Sequence, residues 1–85
     1  MTWHIEWYKK AAKNLESLPK EIRDRVVKYI DKVQQAPFNF LEHFELKGYY
    51  KIRVGDYRAI ASVDFQNKII SIIIFDHRKR IYKRL

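Results

Sequence analysis

Cysteine is absent from this chain, which excludes a disulfide framework and any thiolate metal site. Glycine and proline are scarce, two residues of each. Beside them stand 47% hydrophobic and 15% aromatic residues, so a disordered or low-complexity chain is excluded too. The three histidines, His4, His43 and His77, are scattered and make no zinc signature. No metal and no cofactor is expected. Long apolar runs are also missing. The longest, Ile69 to Phe75, is interrupted by Ser71 and is too short to span a bilayer. Residues Met1 to Glu6 have neither the basic start nor the apolar stretch of a secretory signal. The expected location is the cytoplasm, with no membrane partner.

Acid is what the C-terminal half lacks. Residues 1–46 hold eight Lys/Arg against seven Asp/Glu, a balance of +1. Residues 47–85 hold ten Lys/Arg against three Asp, a balance of +7. The net charge of +8 therefore belongs almost wholly to the second half. Such a surface attracts polyphosphate, and nucleic acid is the commonest partner of that kind; an acidic protein would be drawn equally. The length suffices for one compact domain, read as 1–85, and not for two.

Hydrophobic periodicity gives the elements. Trp3 to Tyr8 alternates like a short strand, and Lys9 to Leu18 carries Ala11, Ala12, Leu15 and Leu18 at helical spacing. Pro19 suits the first turn of a second helix. Ile22, Val26, Ile30 and Val33 form its buried stripe, and Pro37 ends it. Phe38 to Lys47 reads as a connection whose Phe40, Leu41 and Phe44 plug the core. Strands are expected at Tyr49–Val54, Tyr57–Val63 and Lys68–Asp76, the last a central strand covered on both faces because its isoleucines are nearly continuous. The fold class is α+β, in the order β-α-α-β-β-β: a mostly antiparallel sheet with a helical hairpin packed on one face.

Gly55-Asp56 is a two-residue hairpin signal, and it fixes a register. Val54 then opposes Tyr57, Arg53 opposes Arg58, and Lys51 opposes Ile60. Because side chains alternate, Lys51, Arg53 and Arg58 share one face, left bare if the helices cover the other. Directly opposed arginines repel, so the pair calls for an anion between them. Lysine and arginine on a strand also serve simply to blunt a sheet edge. Residues 78–85 add five more cations around Ile81 and Tyr82. Such a tail is a solvated arm unless Ile81 pins it and Tyr82 stacks on a base. His77 is open to two readings, a structural histidine or an acid/base group.

Leu46-Lys47-Gly48, the strand Tyr50 to Val54, Gly55-Asp56-Tyr57-Arg58, His77-Arg78 and the late Tyr82 together resemble the RelE/ParE toxin superfamily over nearly the whole chain. Lys51 and Arg53 with Arg78 and Tyr82 resemble its RelE branch. The resemblance implies a toxin that cleaves messenger RNA in the ribosomal A site, inhibits translation, and is neutralised by a cognate RelB-like antitoxin. The ParE branch shares the scaffold and poisons DNA gyrase. A plain nucleic-acid-binding module is the third possibility.

Metal-free cleavage must deprotonate a 2′-OH, stabilise an in-line transition state and protonate the leaving 5′-oxygen. Crowded cations disfavour one another's charge, so a crowded lysine can act as base, and Lys51 is the candidate. Arg53 and Arg58 would clamp the phosphate. By resemblance Arg78 assists the leaving oxygen, with His77 as an alternative donor, and Tyr82 orients a base. Lys47, Lys79, Arg80, Lys83 and Arg84 are candidate RNA contacts.

Overall fold

The computed structural model describes residues 2–84. Met1 and Leu85, which close the expected domain and the basic tail, lie outside the described residues. Strand β1 (His4–Trp7) leads into helix α1 (Lys9–Glu16) and helix α2 (Lys20–Gln35). A 3-10 turn at Pro37–Asn39 and a two-residue strand β2 (Glu42–His43) follow. Strands β3 (Tyr49–Val54), β4 (Tyr57–Asp64) and β5 (Ile69–His77) come next, and a 3-10 turn at Ile81–Arg84 ends the described chain.

The helices start and stop where their residues require. Pro19 is the N-cap of α2, and its carbonyl accepts the first bond, from the N–H of Arg23 at 2.9 Å. Pro37 cannot continue the helix, because its ring removes the amide donor. Val26, Ile30 and Val33 are buried along the stripe, with Ile22 and Tyr29 packed at its margin. They meet Ile52, Val54, Ala59, Ala61, Ile70, Ile72 and Phe75 of the sheet. This is the main core.

The sheet order is β1-β5-β4-β3-β2. All neighbours are antiparallel except β1, which runs parallel to β5 from His4↔Ile69 to Trp7↔Ile72. The first half of β5 is central, as its isoleucines suggest. Beyond Ile72 it loses its neighbour, because β1 ends there and the chain turns into α1. The Nδ2 of Asn14 then donates to the free carbonyl of Phe75 at 2.9 Å.

Two features depart from the sequence reading. The Phe38–Lys47 connection contains β2, too short to show a period. Its Phe40 and Leu41 do pack on the core, whereas Phe44 stacks on Tyr82. The second departure is a bulge: Ile60 faces Ile74 but Ala61 faces Ile72, so Ile73 is the extra residue. The bulge resets the alternation of β5. Ile70, Ile72 and Phe75 thereby all face the helices, and Asp76 joins the face of Arg58.

That second face is not bare. Ile60 lies on it, opposite Lys51, and is buried without belonging to the main core. Ile81 is fully buried and likewise outside that core. The C-terminal turn packs against β5, and its Tyr82 ring reaches Phe44, from the segment that leads into β3. A solvated arm would leave Ile81 in water; burial of its side chain is what draws the segment down.

Candidate functional site

The hairpin turn delivers the register read from Gly55-Asp56. Lys51 lies opposite Ile60, Arg53 opposite Arg58 and Val54 opposite Tyr57. Gly55 adopts φ +60°, a left-handed conformation that favours glycine. Lys51, Arg53 and Arg58 therefore share one face.

The protein answers the repulsion between the arginines with its own groups. Glu42 on β2 lies directly opposite Lys51, and its Oε2 forms an ion pair with the Nε of Arg53 at 2.9 Å. The Nη1 of Arg58 donates to the carbonyls of Gly55 at 2.7 Å and Tyr57 at 2.8 Å. Across the next strand pair Arg58 faces Asp76. Sequence reasoning missed Glu42, because a two-residue strand leaves no periodic signal.

Arg78 joins this end of the sheet. Its backbone N–H donates to the carbonyl of Asp56 at 2.7 Å, and its Nε lies 3.9 Å from the Asp56 carboxylate. Tyr82 is exposed and stacks on Phe44 with ring centroids 6.2 Å apart. His77 is not brought to the cluster. It pairs with Tyr57, whose side chain faces the helices, and packs edge-on against that ring. Its Nδ1 accepts the backbone N–H of Lys79 at 3.1 Å.

The candidate RNA contacts Lys47, Lys79, Arg80, Lys83 and Arg84 are all exposed, and Arg80 and Arg84 in addition bond Asp76 through their Nε atoms. Burial pushes the Asp76 carboxyl up. The Arg84 hydrogen bond, the His77 backbone N–H and the charges of Arg84 and Arg80 more than offset this, and hold it below the ordinary carboxylate value.

An open cleft of about 430 Å3 runs beside the outer edge of β3, lined by Tyr29, Asn39, Phe40, Glu42, Arg53 and Arg58. Two arginines, the Glu42 carboxylate and the rings of Tyr29 and Phe40 thus border one open space.

A family model described as the ParE toxin of the type II toxin–antitoxin system parDE matches residues 5–82. The archaeal RelE–RelB complex of Pyrococcus horikoshii OT3 contains a chain of 33% identity and TM-score 0.78, with 94% of this chain and 99% of that one covered. The chain belongs to the RelE/ParE toxin superfamily. It is therefore the toxin of a toxin–antitoxin system. The fold is shared across both branches of the superfamily. In the RelBE2 toxin–antitoxin complex of Mycobacterium tuberculosis one chain has TM-score 0.81 at 22% identity, covering 92% of this chain and 100% of that one. The chromosomal ParDE system of P. aeruginosa supplies another at TM-score 0.71 and 19% identity, covering 88% and 95%. No curated protein matches the sequence. No helix among the described residues of this RelE/ParE toxin is long and apolar enough to cross a membrane.

Proposed function

We propose that this RelE/ParE toxin is a ribosome-dependent endoribonuclease that cuts messenger RNA in the A site and so inhibits translation. The observation that carries the reading is the placing of Lys51, Arg53 and Arg58 on one sheet face, with Arg78 tied to the hairpin turn and Tyr82 exposed on Phe44. The residues form one toxin unit over 1–85, acting in the cytoplasm without a cofactor.

Arg53 and Arg58 clamp the scissile phosphate and stabilise the charge that develops on it. Entry of the phosphate breaks the Arg53–Glu42 pair and replaces one anion by another. Lys51 takes the 2′-OH proton, the 2′-oxygen attacks phosphorus, and the bond to the 5′-oxygen breaks. Arg78 offsets charge on that leaving oxygen as it takes a proton from water; His77, on the helix side, is less well placed to supply it. Tyr82 orients the neighbouring base by stacking. So modest a catalytic set fits an enzyme whose substrate is held in line by the ribosome, because orientation then lowers the barrier without added side chains. Lys47, Lys79 and Lys83 steer the RNA backbone.

The partner that restrains the toxin is a small RelB-like antitoxin. An acidic, amphipathic segment suits a surface of +8 that also exposes apolar rings. Toxin isolated from its own host without any small bound partner would overturn this.

The family model that matches is named for ParE, which favours a second reading, inhibition of DNA gyrase. One experiment separates the two. The toxin is added to a translating extract, and the ends of the messenger RNA and of plasmid DNA are mapped. Codon-phased RNA ends that appear only during translation support the nuclease. Gyrase-linked DNA breaks with intact RNA establish the ParE reading. Binding with neither product leaves a non-catalytic module.

A further inference from the structure

Asp76 takes no part in the chemistry above, yet among the described residues it is the one buried charged side chain. A carboxylate withdrawn from water costs several kcal/mol unless its lone pairs are filled. Here three donors reach them. Oδ1 accepts the backbone N–H of His77 at 2.7 Å and the Nε–H of Arg80 at 3.3 Å, and Oδ2 accepts the Nε–H of Arg84. Arg58 faces it from β4.

The two arginines bracket the segment that matters. Arg80 stands just before the buried Ile81 and the exposed Tyr82, and Arg84 closes the same 3-10 turn. A turn this short has no stability of its own. It is also strongly cationic, and it is bonded to Asp76 on the sheet face that already carries Lys51, Arg53 and Arg58. Like charges would lift it off. Ile81 supplies an apolar anchor, and Asp76 supplies a charge of the opposite sign at each end of that anchor.

We infer that Asp76 is a positioning residue that pins residues 80–84 to the sheet, so that Tyr82 is held against Phe44 above the basic face, with Arg80 and Arg84 spent on this clamp rather than on RNA. The docking half stands on geometry alone; the catalytic half rests on the nuclease reading.

The test uses Asp76→Asn, Tyr82→Ala and the double variant in the full chain. Docking is read without RNA, by hydrogen exchange at the Lys83 amide, which donates to the Arg80 carbonyl at 3.0 Å. Asp76→Asn is expected to speed that exchange about tenfold or more while the β4 amides stay protected. Unchanged exchange at Lys83 overturns the clamp. If Asp76→Asn fails to fold, the pair Arg80→Gln and Arg84→Gln removes the other side of the same clamp and must loosen the turn alike. Coupling is read by translation-dependent cleavage. Asp76→Asn is expected to cost about tenfold when Tyr82 is present and less than about twofold in the Tyr82→Ala background, since residues acting through one another are not additive. Equal losses in both backgrounds overturn the positioning role. If the native toxin cuts no RNA, the nuclease reading fails while the exchange result still decides the clamp.

Discussion

Arg58 is where charge and geometry are most tightly opposed. Opposed arginines repel, but Arg53 is ion-paired with Glu42 and Arg58 is turned onto the Gly55 and Tyr57 carbonyls, so little relief is due when Arg58 is removed. Arg58→Ala forfeits two half-exposed bonds to turn carbonyls, and its stability should stay within about 1 kcal/mol of native by melting. Its cleavage rate should fall on the order of 100-fold, as for other lost transition-state donors. Lys51→Ala should also lower the cleavage rate, by at least about tenfold. Lys28→Ala, exposed on α2, should change neither property. Normal cutting by Arg58→Ala ends the clamp assignment. Glu42→Gln makes an independent case: with its competitor gone, Arg53 should bind single-stranded RNA a few-fold more tightly in a direct titration. If the variant binds more tightly yet cuts tenfold more slowly, Glu42 belongs to proton transfer. The opposed arginines were legible because a two-residue turn dictates its own register. Glu42 was not, because its pairing depends on a strand too short to leave a pattern.

The hairpin and the C-terminal turn are the elements that set the site. Gly55 has open space where a Cβ would sit, so Gly55→Ala should cost only backbone strain, about 1–2 kcal/mol in chemical unfolding. A larger loss would mean that the turn packs on something else. Docking of the C-terminal turn should depend on pH with a definite sign. The folded Asp76 carboxyl lies below its ordinary value, so its contribution is complete above that value and fades as pH falls through the lower, folded one. The stability gap between native protein and Asp76→Asn should thus be flat near neutrality and close in acid. A gap that persists at the lowest pH would assign the loss to packing instead. Periodicity disclosed both helices and four strands. It did not disclose the bulge at Ile73, because three consecutive isoleucines, Ile72 to Ile74, fit either face equally. Nor did it show the cover on the second face, since one buried isoleucine among cations reads as a solvated arm.

The molecule as a whole presents an uneven field, and salt measures it. For single strands each neutralised phosphate contributes roughly −0.7 to the slope of log affinity against log salt. Lys83→Ala should shallow the slope by about that much, while Arg84→Ala should leave it nearly unchanged, because Arg84 is held by Asp76. An unaltered slope in Lys83→Ala removes that lysine from the RNA path. The pairing of β1 with β5 has a bearing on when the protein becomes dangerous. His4 is made well before Ile69, yet the two lie side by side. Long-range pairings of this kind form late in folding. The amino-terminal strand has no neighbour until the final strand is made, and the turn that carries Tyr82 is made later still. A chain that stops short of β5 therefore lacks both the partner of β1 and the strand that carries Asp76, and the fold of the toxin stays incomplete.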